Sequence, residues 1–114
     1  MAIGIRRGIF VGSLIIVCLA IVAVLRHERT FYQRAYDSLM RGTTKADVLK
    51  RFGKPGRIGD CSFVTPTWDN EGQDEIALTC VQTFEYFSRI SVGLWIIGFD
   101  KDGRVVSKAY LSSP

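Results

Sequence analysis

An uncharged apolar stretch near the N-terminus constrains this chain more than any other feature. Residues 8–25 read GIFVGSLIIVCLAIVAVL, and 15 of these 18 residues are apolar. As an α-helix the stretch would extend about 27 Å, close to the thickness of the hydrocarbon core of a bilayer. Arg6 and Arg7 precede it, and a basic cluster follows it from Arg26. The sequence therefore predicts one membrane-spanning helix, with residues 1–7 as a short basic tail.

Three interpretations of this segment differ in its fate after insertion. A cleaved signal peptide needs small residues at the third and first positions before the cut. Cuts after Ala20 or Ala23 have no small residue at the third position. A lipoprotein signal needs a small residue directly before the lipidated cysteine, whereas Val17 precedes Cys18. We therefore predict an uncleaved signal anchor, in which Cys18 packs as a small hydrophobic residue.

The pairing and the orientation of this anchor stay open in the sequence. Gly8 and Gly12 are spaced for close helix pairing in a membrane, although such spacing is also common by chance. A count of Lys and Arg favours a cytoplasmic C-terminal domain, whereas a short basic tail before a first segment usually stays inside. We favour the second argument, which makes residues 26–114 a periplasmic domain on the bacterial inner membrane; the cytoplasmic orientation remains the alternative.

The residues after the anchor have the composition of a small soluble domain. Residues 26–114 are 39% apolar and can bury only a modest core. Their net charge of +2 does not favour nucleic-acid binding, although the pI of the whole chain is 9.2. His27, the only histidine, lies beside the membrane segment, and no metal-ligand spacing or phosphate-binding glycine motif occurs. We predict a non-catalytic domain without a metal or cofactor.

Two cysteines bracket an insertion at residues 61–80. A bridge between Cys61 and Cys80 would close a loop of about 20 residues and stabilise the domain by roughly 3 kcal/mol. Two free thiols in a reducing compartment are the alternative. We predict the disulfide and, with it, an oxidising compartment. Residues 58–79 carry five carboxylates and no basic residue, a pattern typical of a solvated acidic loop.

Two helix signals follow the membrane segment. Residues 28–40 repeat apolar side chains at spacings of three and four, which predicts an amphipathic helix that continues from the anchor. A threonine N-cap followed three residues later by Asp47 predicts a second, short helix. The residues that mark these helices are Gly42 as the first C-cap, Thr43 and Thr44 before the second helix, Val48 on its core side, and Gly53 and Pro55 at its end.

The rest of the chain predicts strands after an irregular region. Residues 56–79 have no sustained period and predict a loop with a short strand at 63–67. The three main predicted strands, rich in aromatic and β-branched residues, are 80–90, 92–99 and 104–111. Asp100 and Gly103 mark a tight turn between the last two. The predicted fold class is α+β: a transmembrane helix, two helices and a three-stranded antiparallel meander.

Two blocks of the sequence resemble the SmpA/OmlA (BamE-like) family. Residues 39–55, LMRGTTKADVLKRFGKP, look like the glycine–threonine turn, short helix and Gly-x-Pro end of that family, and residues 94–105, LWIIGFDKDGRV, resemble its hairpin. The resemblance implies an envelope domain that contacts partner proteins and anionic lipid headgroups without catalysis. The chain departs from the family in lacking a lipidation motif, in keeping a membrane helix and in carrying the insertion at 61–80.

These observations together predict a non-catalytic envelope protein whose small periplasmic domain docks on a membrane protein complex. The candidate partner surface is Phe84, Tyr86 and Trp95 on the predicted sheet. The candidate lipid-headgroup contacts are Arg26, Arg29 and Arg34. The alternative is that these arginines only end the membrane helix and keep that end solvated. The alternative function is an inhibitor-like module that binds an envelope enzyme through its sheet face, because similar helix–helix–sheet modules occur in secreted β-lactamase inhibitors.

Overall fold

A computed structural model describes residues 2–62, 64–88 and 93–112 and shows an α+β fold. The elements in chain order are α1 at Ala2–Asp37, α2 at Lys45–Phe52, β1 at Arg57–Gly59, a 3₁₀ turn at Ala77–Thr79, β2 at Gln82–Phe87, β3 at Gly93–Phe99 and β4 at Val105–Ser112. The strands form one antiparallel sheet in the order β1-β2-β3-β4. The fold class is confirmed, but the sheet has four strands, because the short β1 adds an edge that the loop-like composition of residues 56–79 concealed.

Helix α1 runs without interruption from the apolar segment into the folded domain. Its stretch Val11–Asp37 is long and apolar enough to cross a membrane, and the most hydrophobic 18 residues within it are not buried by the rest of the chain. The helix ends at Asp37, before the predicted end at residue 40. Gly42 is therefore not its C-cap. Instead Gly42 has a φ of +88°, and its N–H donates to Val105 O at 2.8 Å, which ties the turn after α1 to β4.

Helix α2 has the caps that its sequence predicts. Thr44 is the N-cap, and its side chain accepts a hydrogen bond from the Asp47 N–H at 3.3 Å. Gly53 ends the helix with a φ of +83°, and its N–H donates to Leu49 O at 2.9 Å. Val48 and Phe52 point into the core. Because two turns of helix are not stable alone, this packing against the sheet is what holds α2.

The core lies between the two helices and one side of the sheet, which we call the helix side. Its members are Tyr36 from α1, Leu39 just after α1, Val48 and Phe52 from α2, and Phe84, Tyr86, Trp95, Ile97, Phe99 and Val105 from the strands. Aromatic rings dominate it: Tyr32 lies 5.3 Å from Trp95 and 5.7 Å from Tyr86, centroid to centroid. The C-terminal part of α1 is thus an integral part of the domain core, so that the apolar segment and the domain share one rigid helix.

The insertion folds against the second side of the sheet, which we call the outer side. Residues 64–67 are not a strand, and Phe63 lies outside the described residues, as do Ile90 and Val92 at the ends of two predicted strands. Trp68 instead forms an isolated bridge with Lys108 of β4. The predicted strand was wrong because threonine and valine there pack on the sheet rather than extend it.

The edge of β4 is closed by the same insertion. The Lys108 N–H donates to Thr67 O at 3.0 Å, and the Asp69 N–H donates to Lys108 O at 2.7 Å. The side-chain amide of Asn70 then takes the place of a strand, since it donates to Tyr110 O at 2.7 Å and accepts from the Tyr110 N–H at 3.1 Å. These bonds cover backbone groups that would otherwise offer an open edge to another chain.

The hairpin between β3 and β4 has the turn that its sequence predicts. The Gly103 N–H donates to Asp100 O at 3.0 Å, and Gly103 has a φ of +74°. The Asp100 carboxylate accepts from the backbone N–H groups of Asp102 and Arg104 at 2.9 and 3.0 Å. Asp100 is therefore a turn residue whose side chain satisfies backbone donors.

Candidate functional site

An open groove of about 470 Å³ lies between α1 and α2. The residues that line it are His27, Thr30, Phe31, Arg34 and Ala35 from α1, Ser38 just after α1, and Lys50 and Arg51 from α2. The α1 members follow one another at spacings of three and one, which places them on a single helix face. The folding of α2 against the core adds two cations to that face. The groove is therefore built by tertiary packing from two separate basic segments.

The groove is positively charged and has a partly apolar wall. Arg34, Lys50 and Arg51 supply three cations, and all three side chains are exposed. Among the side chains that the structure describes, none of the three forms a salt bridge. Phe31 is 46% exposed and Ala35 half-buried, so one wall is apolar. Such a lining suits an anionic group with an attached apolar portion, because unpaired cations attract the charge while Phe31 offers an apolar contact.

The groove begins at the end of the apolar segment. His27 is two residues beyond Leu25, or about 3 Å along the helix axis, and Arg34 is about 13 Å beyond it. Side chains on a helix lean toward its N-terminus, so Arg34 leans back toward the apolar segment. Phe52 of α2 stacks on Tyr32 of α1 with ring centroids 6.4 Å apart, which keeps the end of α2 level with Tyr32 along the axis of α1. The cations of the groove are thus grouped near this boundary.

The three arginines predicted as headgroup contacts do not form one site. Arg34 lines the groove, whereas Arg26 and Arg29 are exposed on α1 but do not line it. Gln33 lies on the side of α1 that packs toward the sheet, where it accepts from the Trp95 Nε1–H at 3.2 Å. Arg29 precedes Gln33 by one helical turn and therefore lies on that same side of α1. Sequence reasoning missed Lys50 and Arg51 because helical spacing relates residues only within one helix, and these two belong to another.

The predicted partner surface is wrong for all three of its residues. Phe84, Tyr86 and Trp95 have exposed fractions of 5%, 1% and 0% and belong to the core on the helix side. The Tyr86 hydroxyl donates to Gly53 O at 3.0 Å, and its burial raises the pKa of that hydroxyl. Their aromatic character reflects core packing, which a strand pattern alone does not distinguish from a sticky surface.

The acidic insertion is paired with the basic helical region rather than fully solvated. Asp74 accepts a hydrogen bond from the Arg41 guanidinium, and that bond, followed by one from the Ala77 N–H, lowers the pKa of the Asp74 carboxyl below its ordinary value. Asp69 accepts from the Tyr36 hydroxyl at 2.7 Å. One ion pair, Arg41 with Asp74, thus joins the two oppositely charged regions.

A buried lysine completes the attachment of the insertion to the core. Lys108 is 5% exposed, and its ammonium donates to Tyr36 O at 2.8 Å, near the C-terminal end of α1. The ammonium also lies 4.6 Å from the Tyr36 ring centroid and 5.0 Å from that of Trp68. The negative end of the helix dipole and two ring faces compensate the buried charge. These contacts make Lys108 a structural residue.

The structure brings Cys61 and Cys80 to disulfide distance, with their Cα atoms 5.9 Å apart. The bridge lies on the outer side of the sheet, where Gly98 leaves room for it: a Cβ at Gly98 would lie 2.6 Å from Cys80 Sγ. A cavity of about 20 Å³ beneath the insertion is lined partly by Glu85, Ile96 and Ala109. This volume holds about one water molecule, so the outer side has no room for a larger ligand here.

The buried Glu85 on this outer side is paired across the sheet. Its Oε2 lies 3.3 Å from Arg57 Nε of β1, and the two residues are direct cross-strand partners. The side chain of Arg57 is 58% exposed and that of Glu85 is 5% exposed, so the pair joins a buried carboxylate to a surface cation. The short strand β1 therefore has a definite role, since it supplies the countercharge of Glu85.

No protein-family model, curated protein or solved structure matches this chain.

Proposed function

We propose that this chain is a non-catalytic, membrane-anchored binding module of the cell envelope, whose α1–α2 groove takes the headgroup of an anionic phospholipid. One observation carries the proposal: the groove lies on the same continuous helix as the apolar segment and begins two residues after it. Because no flexible linker intervenes, insertion of α1 would hold the groove at a constant height on the membrane surface. The anchor thereby selects a ligand that is part of that surface.

The chemistry of the groove favours a lipid phosphate over a neutral headgroup. Arg34 presents a planar fork of donors that matches phosphate oxygens, and Lys50 and Arg51 add charge from the opposite wall. The Thr30 hydroxyl lies on the same helix face and can donate to the ligand. Phe31 in the same lining offers an apolar contact to the part of the lipid nearest its phosphate, as aromatic residues do at membrane interfaces. Each cation near an anionic surface contributes about 1 kcal/mol.

Docking on a membrane protein complex is the second part of this proposal. A domain held rigidly by α1 and oriented by a bound lipid presents the same surface to every partner in the membrane plane. The resemblance of residues 39–55 and 94–105 to the SmpA/OmlA family supports this envelope role, and the cysteine pair at disulfide distance supports a periplasmic domain. The inhibitor alternative has less support, because helices cover one side of the sheet and the insertion covers most of the other.

Lipid binding is tested by native mass spectrometry of the full chain released from detergent micelles. Phosphatidylglycerol and phosphatidylcholine with identical acyl chains are compared for their retention on the protein. We expect Lys50→Gln to weaken phosphatidylglycerol binding about fivefold, the equivalent of one cation near an anionic surface. Lys101→Gln, which removes the same charge from the exposed β3–β4 turn, is the matched control and should bind like the wild type. Equal retention of both lipids, or equal effects of both substitutions, would contradict the proposal.

The compartment is tested by thiol labelling in cells. After treatment with a membrane-impermeant reductant, a membrane-impermeant maleimide should label Cys61 and Cys80 while the inner membrane is intact. A chain with both cysteines replaced by serine controls for reaction at Cys18. Labelling that requires lysis of the inner membrane would place the domain in the cytoplasm and refute the periplasmic assignment. Docking is tested by cross-linking the full chain in intact membranes, and recovery of lipid without any membrane protein would argue against it.

A further inference from the structure

One row of apolar side chains crosses the outer side of the sheet at one end. Phe87 of β2 is directly opposite Leu94 of β3, and Leu94 is directly opposite Leu111 of β4. Directly paired residues of antiparallel strands point to the same side of a sheet. Phe87 is 47% exposed, Leu111 is 40% exposed, and Leu94 is half-buried. We call these three residues the apolar row.

The insertion covers the neighbouring rows of the outer side but not this one. The next row, Glu85, Ile96 and Ala109, is buried and lines the small cavity beneath the insertion. The row after it contains Thr83 and Ser107, which are also buried. None of the apolar row lines that cavity. The outer side is therefore closed by protein along most of its length and left apolar at one end.

Contacts of α1 establish which end of the sheet carries the apolar row. Tyr32 contacts Trp95, with ring centroids 5.3 Å apart, and Trp95 is paired with Tyr110 of β4. Four residues farther along α1, Tyr36 O accepts from Lys108. Past the end of α1, the Gly42 N–H donates to Val105 O. As the chain leaves the apolar segment, its contacts move down β4 from residue 110 toward residue 105.

The apolar row consequently lies at the end of the sheet nearest the apolar segment. Tyr32 is about 10 Å along the helix from Leu25, and Leu94 is one strand residue, about 3.4 Å, closer to the segment than Trp95. With α1 upright, the row lies about 7 Å beyond the apolar segment. The headgroup layer of one leaflet is about 5–8 Å thick. The row is therefore level with that layer.

We infer that the apolar row is a second membrane-contact surface, whose side chains rest within the headgroup layer of the bilayer. This inference rests on the proposed anchoring by α1. Its occupant is lipid because the row is level with the headgroups and α1 holds it there continuously. Apolar side chains at that depth leave water, which is favourable. The groove and the apolar row lie on opposite sides of the sheet, so both contacts together prevent the domain from rocking about α1.

The test uses the full chain in lipid nanodiscs with methyl-labelled leucines, observed by NMR. The probe is a phosphatidylcholine that carries a nitroxide near the top of one acyl chain, which broadens signals of nearby methyl groups. Leu78, in the 3₁₀ turn at the far end of the domain, is the matched control because it is 56% exposed, more than Leu111. We expect the Leu94 and Leu111 methyl signals to lose at least about twofold more intensity than the Leu78 signal, since only the former are level with the headgroups.

Leu14 and Leu19, both in the apolar segment, separate the possible failures. Broadening of Leu14, Leu19, Leu94 and Leu111 with an unaffected Leu78 supports the inference. Broadening of Leu14 and Leu19 alone keeps the anchor but overturns the second contact. Equal broadening of Leu111 and Leu78 overturns it as well, because contact would then be unspecific. Absence of broadening at Leu14 and Leu19 overturns the anchor, and with it this inference.

Discussion

The two sides of the sheet are held by different physical means. The helix side is a continuous aromatic core in which Trp95 is completely buried between strands and helices. The outer side carries small and polar residues such as Thr83, Gly98 and Ser107, and an irregular segment covers it. Burial on the first side comes from large side chains, and burial on the second comes from a disulfide and edge hydrogen bonds. A small domain can therefore close the second face of its sheet without a second layer of helices.

This difference predicts which changes unfold the whole domain and which release only the insertion. The helix side should behave as one cooperative unit, since its rings share contacts among α1, α2 and three strands. The outer side should open locally when its attachment is cut, because its cover has few buried apolar residues. Hydrogen exchange of the full chain in detergent micelles reports on the two sides separately.

The largest effect is expected from Trp95→Ala. Removing a fully buried tryptophan leaves a cavity among Tyr32, Tyr86 and Tyr110, and such losses cost about 3–5 kcal/mol of unfolding free energy. The backbone amides on both sides of the sheet should then exchange faster, as one cooperative unit. Val64→Ala is the control, since Val64 is half-buried, belongs to the insertion and lines the cavity on the outer side. Equal effects of both substitutions would mean that the helix side is not the dominant core.

The double substitution Cys61→Ser and Cys80→Ser should have the next largest effect. It frees a loop of about 20 residues, which lowers the unfolding free energy by roughly 3 kcal/mol in the loop-entropy description. The Asp69 and Lys108 amides, which join the insertion to β4, should lose protection before those of β2 and β3. Cys18→Ser, in the apolar segment, should change neither set. Simultaneous loss of protection on both sides would show that the insertion is not a separate unit.

A smaller effect is expected from Gly98→Ala. The new methyl group would meet Cys80 Sγ and the Ser107 hydroxyl, and although the hydroxyl can rotate away, the bridged sulfur cannot. Overpacking of this kind costs about 1–3 kcal/mol. Gly72→Ala is a useful comparison because open space surrounds it, so that its cost comes only from its φ of +115°. If Gly98→Ala in the double serine chain is as harmful as in the wild type, contact with the bridge is not the cause.

The smallest effect concerns the pH dependence of the insertion. The bond from Arg41 lowers the pKa of Asp74 in the folded state, so ionised Asp74 favours folding. This contribution is fully present above the ordinary aspartate pKa of about 3.9 and is lost as the pH falls through the lowered folded value. Protection of the Ala77 and Thr79 amides, measured between about pH 6 and pH 3, should decrease at the acid end.

Asp74→Asn is the control for this pH dependence. The amide oxygen of asparagine can still accept from the Ala77 N–H, but it carries no charge to titrate. The acid-end loss of protection should therefore become smaller in this variant. An unchanged pH profile would assign the effect to other carboxylates of the chain.

Local features of the fold were predictable from the sequence because their causes are local. The apolar run of residues 8–25, the N-cap at Thr44, the C-cap at Gly53 and the turn at Asp100 each depend on neighbouring residues alone. The pair Cys61 and Cys80 was also predictable, since only these two cysteines lie outside the apolar segment. The end of α1 was misplaced by three residues, because the pattern that predicted a longer helix continues into a turn that pairs with β4.

The candidate site was only partly predictable. Arg34 was found because it follows the apolar segment, but Lys50 and Arg51 join it only through the packing of α2 on α1. Phe84, Tyr86 and Trp95 were misassigned, because a strand sequence does not reveal which side a helix will cover. The acidic insertion was read as solvated, since nothing local indicates that Asp74 meets Arg41 or that Asp69 meets Tyr36.

The sequence by itself determined a membrane-length helix, two caps, a hairpin turn and a small α+β domain, because hydrophobicity and backbone preference act over a few residues. Only the tertiary structure decided that α1 enters the core, that two basic segments share one groove, and that an apolar row lies at the end of the sheet nearest the apolar segment. Those outcomes depend on contacts between distant segments, whose energies arise only when the chain has packed.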